Sequence, residues 1–252
     1  MPRVARARSE SGIYHVVVRG TDRQDIFRDR KDRVHYLYLL ADIKGETGYI
    51  LHGYCLMSNH VHLLLDEGEN SIGVIMHRLN TSYARWFNNR YQRCGHLFQN
   101  RFKSEPVMDD GYFVTVLRYI HLNPVKAGLV SRPERYLWSS YRAYYAGVEL
   151  LQGLVATSFS LDLMGGRDKL VAFTNHPNDD SCLDLAMPRW VADQAILDQL
   201  AGCLRGTGQQ SLHQLERGQR DQVLRRLKAI EGASIRQIAR LTGLGKKIVQ
   251  QA

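Results

Sequence analysis

Nowhere in the 252 residues does an apolar run approach the roughly eighteen residues of a membrane span, so no transmembrane segment is expected. The basic stretch Met1 to Arg8 is not followed by the apolar core of a secretory signal, which points to the cytoplasm. Cysteine is scarce. The four present, Cys55, Cys94, Cys182 and Cys203, are scattered, with neither the paired spacing of a zinc site nor the density of a disulfide framework. They read as reduced thiols. Internal repeats and low-complexity tracts are also missing, which leaves an ordinary globular protein long enough for one well-buried core and a smaller second unit.

Acid is in short supply too, with 25 Asp and Glu against 34 Lys and Arg, for a net charge of +9. The excess is uneven. Residues 1–145 hold 21 basic against 14 acidic side chains, residues 146–204 hold 3 against 8, and residues 205–252 hold 10 against 3. Basic regions attract phosphate backbones, although a modest excess also serves simple solvation. The acidic middle reads as a linker or packing segment, and Gly165-Gly166 and His176 to Asp180 act as breakers within it. Beside a basic DNA site it could also compete with DNA for that site.

The most informative stretch is Tyr54-Cys-Leu-Met-Ser-Asn-His-Val-His-Leu-Leu-Leu65. Side chains alternate faces along a strand, so His60 and His62 share one face while Val61 and Leu63 take the other. The leucines continue without alternation, as in a strand buried on both sides. Two imidazoles on a rigid element suit a divalent metal; two solvent-facing histidines on an open sheet are the plain alternative. Ile13 to Arg19, β-branched and aromatic between Gly12 and Gly20, reads as an earlier strand. Residues 31–43 and 72–87 carry apolar side chains at helical spacing, and Phe98 to Val107 reads as a further strand with Arg101 and Lys103 on one face. A third helix begins at Asp109 or Asp110 and is expected to stop at Asn123, ahead of Pro124. It places Tyr119 and Asn123 one turn apart on one flank, where they serve either packing or chemistry. Residues 133–145 are aromatic-rich and are expected to close over the first domain. In the tail, Ser234 caps a helix, Gly243 turns into another, and Lys246, Lys247 and Gln250 would face DNA if this is a helix-turn-helix unit and not a capping or dimerisation unit.

Three motifs then carry a family resemblance: Met57-Ser-Asn-His-Val-His-Leu-Leu-Leu65, Gly95-His-Leu-Phe-Gln-Asn-Arg-Phe-Lys-Ser104, and Arg118-Tyr-Ile-His-Leu-Asn-Pro-Val-Lys-Ala-Gly-Leu129. With Arg19 to Phe27 and Trp138-Ser-Ser-Tyr141 as further landmarks, residues 10–145 resemble the single-tyrosine HUH transposases, in particular the REP-associated tyrosine transposases of bacteria. The resemblance implies a ferredoxin-like antiparallel sheet with helices on one face; it fades after residue 145, and with the tail as read above the fold class is α+β followed by a small all-α helix-turn-helix unit. The corresponding divisions are 1–145, 146–204 and 205–252. It further implies Tyr119 as nucleophile, His60, His62 and Asn123 as ligands of Mg²⁺ or Mn²⁺, and a 5′-phosphotyrosine intermediate formed on single-stranded DNA hairpins of repeated extragenic palindromes. Arg19, Arg23, Asn59, Arg101 and Lys103 are the expected DNA contacts. Related transposases of mobile elements work as homodimers that exchange tyrosine helices, an arrangement to which the REP-associated branch is less bound.

Overall fold

The computed structural model describes residues 7–183, 193–205, 212–230, 233 and 235–252. The chain divides into two compact units, Met1–Leu185 and Ala186–Ala252.

The first unit is built on a four-stranded antiparallel sheet of order β2-β3-β1-β4, formed by β1 (Ile13–Arg19), β2 (Ile50–Leu56), β3 (His60–Asp66) and β4 (Lys103–Pro106). Helix α1 (Arg30–Thr47) joins β1 to β2, and α2 (Ile72–Arg90) joins β3 to β4. This is the ferredoxin-like order expected from the sequence. It places the strands β1 and β3 at the centre.

Local chemistry fixes the helix ends. Asp29 caps α1 through a capping box with Asp32, and Gly48, at φ 71°, closes it in the left-handed region where a glycine costs least. Asp32 is fully buried, yet its carboxylate accepts from the backbone of Arg28 and Asp29, from the Tyr91 hydroxyl, and from the Arg90 guanidinium at 2.5 Å. It ties the start of α1 to the end of α2. Phe27, Tyr36 and Tyr83 pack in tilted and edge-to-face pairs between these helices, with Tyr83 donating to the Ile26 carbonyl. Residues Val61 to Leu65 of β3 are all buried, so the sheet is covered on both sides. The α1–α2 layer takes the Val61, Leu63 and Leu65 side.

The other side is taken by α3 (Asp110–Lys126). Asp109 caps it, as expected, by accepting from the Tyr112 backbone. Contrary to the expectation that Pro124 ends it, the helix continues to Lys126. A proline so near a C-terminus forfeits one backbone bond, and the end is closed by Ala127 donating to Asn123 and Leu129 to Pro124. The strand expected over Phe98 to Val107 is shorter too. Residues 97–99 are pinned by single backbone contacts to Arg19, Gly20 and Thr21, and only Lys103–Pro106 pairs regularly with β1.

Residues 136–140 lie against β2, with Ser140 and Leu56 exchanging backbone bonds across to Tyr54 and Trp138, before α4 (Tyr141–Ala146). The expected boundary at residue 145 is displaced. The segment beyond it forms α5 (Ser158–Met164) and α6 (Arg167–Asn175) and buries Leu154, Val155 and Leu170 in the first unit's core. Charge content described its surface and said nothing of what its apolar residues cover.

The second unit contains α7 (Asp193–Arg205), α8 (Arg217–Lys228), α9 (Ile235–Thr242) and α10 (Lys246–Gln251) around Ile196, Leu224, Leu227, Ile238 and Val249. Residues 193–204, which the sequence reading places in the middle segment, form most of α7 and belong to this unit. Gly243, at φ 70°, makes the expected turn between α9 and α10, and Lys246, Lys247 and Gln250 are exposed on α10. The expected cap Ser234 lies outside the described residues.

Candidate active site

The pairing register assembles the site. His62 stands opposite Val17 of β1 and Cys55 of β2, and His60 stands opposite Arg19. Both histidines project to the α3 side, with ring centroids 5.0 Å apart. Helix α3 comes unusually near β2 because Gly53 has no side chain: a Cβ there would sit 2.7 Å from Leu117 Cδ1. This close approach brings Tyr119, which is 5% exposed, edge-on to His62 at 5.8 Å between centroids and to His15 of β1 at 6.0 Å. Lys126 holds its Nζ 4.7 Å from the Tyr119 ring. Asn123, one turn beyond Tyr119 and also buried, donates its amide Nδ2 to the Tyr119 carbonyl at 2.9 Å. The oxygen is the end of that amide left to coordinate.

Each histidine of the pair has its Nδ1 engaged by a neighbour. His60 Nδ1 lies 2.6 Å from Asn59 Oδ1, and His62 Nδ1 lies 3.1 Å from His15 Nε2. His62 Nε2 is buried without a hydrogen-bond partner. Burial, reinforced by His60, His15 and Arg19 nearby, holds His62 well below the ordinary imidazole range. It is therefore neutral, which is the form that ligates. A buried, unpartnered, neutral nitrogen beside a second histidine fits a divalent ion. Among the described residues no three His, Cys, Asp or Glu side chains converge as a ligand cluster, so the pair would need a further oxygen, for which Asn123 stands one turn from Tyr119.

The expected DNA contacts separate. Arg19 flanks His60, and Lys103, exposed, lies in the same cross-strand row as His62 through Val17. Arg101 is exposed just ahead of β4. Arg23 follows Asp22, and both occupy left-handed backbone (φ 62° and 50°) in the turn after Gly20. No other residue fits at Gly20, where a Cβ would meet the Gln24 carbonyl oxygen at 2.3 Å. Asn59, expected to touch DNA, spends its amide within the protein, its oxygen on His60 and its nitrogen 3.3 Å from the Arg23 carbonyl. Lys246, Lys247 and Gln250 belong to the other unit.

Two further features belong to the site, the second in keeping with the expectation that the acidic segment could compete there. One is His15, visible only once the cross-strand register is known. The other is a strap over α3: the Asp180 carboxylate accepts from Arg118 Nε and Nη2 at 2.6 and 2.7 Å, and its carbonyl accepts from Lys126 at 3.0 Å. The acidic segment thus engages the cation that overlies Tyr119.

The family model described as "Transposase IS200 like" matches residues 9–123, a span that begins just before β1 and ends at Asn123. The matched span is a little under half of the chain and resembles the IS200-like transposases. A putative REP-associated tyrosine transposase from Haemophilus influenzae is 30% identical to the chain over 99 residues, covering 34% of this chain and 56% of that relative's length. A solved REP-associated tyrosine transposase bound to a REP hairpin aligns over 63% of this chain and 96% of its own, with 16% identity and a TM-score of 0.46. A putative transposase from Deinococcus radiodurans aligns over 47% of this chain and 95% of its own, with 20% identity and a TM-score of 0.35. The matched span holds His15, Asn59, His60, His62, Tyr119 and Asn123, so the whole candidate centre falls within the matched residues.

Proposed function

We propose that the protein is a metal-dependent tyrosine transposase that nicks and rejoins single-stranded DNA at hairpin-forming repeats. The observation that carries this reading is the placement of Tyr119 5.8 Å from a histidine ring whose buried Nε2 has no partner. The family match over residues 9–123 and the name of the Haemophilus influenzae relative support the substrate class.

In this reading His60 and His62, with the amide oxygen of Asn123, hold a divalent ion, Mg²⁺ or Mn²⁺. Bound there, the ion supplies positive charge to a non-bridging oxygen of the scissile phosphate. Tyr119 supplies the nucleophile. Its phenol loses a proton to solvent, its oxygen forms a bond to phosphorus, and the bond from phosphorus to the 3′-oxygen breaks. The 3′-oxygen takes up a proton and leaves as a free hydroxyl, and the 5′-phosphate stays on the tyrosine. The reverse attack by a 3′-hydroxyl reseals the strand, so rejoining needs no nucleoside triphosphate. Arg19, Arg23, Arg101 and Lys103 track the backbone, and Lys246, Lys247 and Gln250 of the second unit provide a separate DNA contact.

The test is incubation of the protein with Mn²⁺ and labelled hairpins from the host's intergenic repeats, followed by a denaturing gel. A protein–DNA adduct that vanishes in Tyr119→Phe supports the reading. Cleavage that survives this substitution assigns the nucleophile elsewhere and makes the protein a hydrolase; binding with no adduct for any hairpin makes it a DNA-binding regulator.

A further inference from the structure

We propose that His15 is a positioning residue that sets which nitrogen of His62 carries the proton and so leaves His62 Nε2 able to bind metal. The inference rests on the metal reading above and adds a role for a residue outside the ligand set.

The geometry is that of a dedicated pair. His15 stands opposite Leu64, one step along the same face from His62, and the two rings stack at 5.3 Å with 28° between their planes. Both are fully buried, so water cannot substitute for either. One hydrogen bond joins them, between His15 Nε2 and His62 Nδ1 at 3.1 Å, and it can hold its proton in two ways. If His62 Nδ1 donates, His62 Nε2 is a bare lone pair and ligates. If His15 Nε2 donates, His62 carries its own proton on Nε2, aimed at no acceptor, and cannot ligate. Ligand histidines are ordinarily oriented by a carboxylate or a carbonyl accepting from the second nitrogen. His60 follows that pattern with the Asn59 oxygen.

A histidine in this place does what a carboxylate does without burying a negative charge. The arrangement has a cost that marks its function: with Nε2 accepting, His15 carries its proton on Nδ1, and that nitrogen is buried with no partner. Packing alone would be served by a leucine or phenylalanine, without an orphaned donor.

The experiment compares Mn²⁺ binding, read from the free-ion electron paramagnetic resonance signal, across the wild-type chain, His62→Ala, His15→Phe and His15→Gln. Phenylalanine fills the space and cannot accept; the glutamine oxygen can reach near the Nε2 position. The expected result is an affinity loss of about 10- to 100-fold for His15→Phe, as for other orienting partners, with His15→Gln recovering most of it. Circular dichroism confirms that each variant is folded. A folded His15→Phe that binds as tightly as wild type overturns the proposal, and so does equal weakness of the two folded variants, which would assign the effect to packing. If His62→Ala binds as tightly as wild type, the metal reading itself falls and takes this inference with it. Should His15→Phe not fold, ¹⁵N shifts of the wild-type histidines with Mg²⁺ present decide: a protonated His62 Nδ1 supports the assignment, and a protonated His62 Nε2 overturns it.

Discussion

Replacing Gly53 by alanine tests the contact on which the proposed centre depends. A Cβ at this position would lie 2.7 Å from Leu117 Cδ1, and ordinary contact begins at 3.4 Å, so something must retreat by about 0.7 Å. Leu117 is 2% exposed and cannot swing into solvent, and Ser140 Oγ and His121 Nε2 stand at 3.6 and 3.9 Å from the same Cβ. The shift therefore falls on the Leu117 side chain within the core and on α3, which carries it. Overpacking of this kind costs ~1–3 kcal/mol, which urea unfolding of Gly53→Ala against wild type would read as a lower midpoint at unchanged slope. Because α3 carries Tyr119 and Asn123, adduct formation should fall more steeply than stability. Trimming the obstacle in Gly53→Ala/Leu117→Ala should return part of the loss, with a coupling on the order of 1 kcal/mol. A Gly53→Ala protein as stable and as active as wild type would refute the close approach and with it this account of how Tyr119 is placed.

Asp32→Ala should destabilise the first unit by about 3–5 kcal/mol in the same assay, because Arg90, Tyr91 and two backbone amides lose a buried acceptor; a change below about 1 kcal/mol would refute that role. His121 is buried against Ser140 and, like His15, is pushed down to about 3 by burial. A histidine depressed in the folded state is protonated first in the unfolded chain, so its contribution is complete above about pH 6.5 and is lost as pH falls toward 3, by about 1.4 kcal/mol per unit for each such group. Urea midpoints that stay flat between pH 7 and 5 would contradict this. Residues 1–185 alone should unfold cooperatively near the first unit's own midpoint, whereas a cut at 145 removes Leu154, Val155 and Leu170 from the core and should leave an unfolded chain, as circular dichroism would report. An imidazole pair suits Mn²⁺ better than Mg²⁺, so cleavage should be faster with Mn²⁺ at equal concentration; the reverse order of rates would count against the ligand set.

Much of this architecture was legible because the strongest signals were periodic. β1 occupies Ile13–Arg19 as its β-branched run indicates, the two histidines share a face because alternation in a strand leaves no choice, and Asp109 caps α3. What escaped depends on partners distant in sequence. His15 sits inside an unremarkable strand pattern, and only the pairing of β1 with β3 brings it to His62. Asn59 reads as a polar turn residue until the hairpin folds its oxygen back onto His60. Pro124 was given its usual weight as a helix breaker, which it lacks within the last turn. Charge marks Asp180 in the middle segment, but nothing in its charge marks Leu154, Val155 and Leu170, which join the first unit's core.

The nearness of α3 to its own β2 also has a consequence for stoichiometry. His62 and Tyr119 come together within one chain, across the notch left by Gly53. On the function proposed above, one polypeptide would then bring its own nucleophile to its own histidine pair. Turnover per chain would then stay constant on dilution, and two ends of DNA could be processed by two molecules that need never exchange a helix.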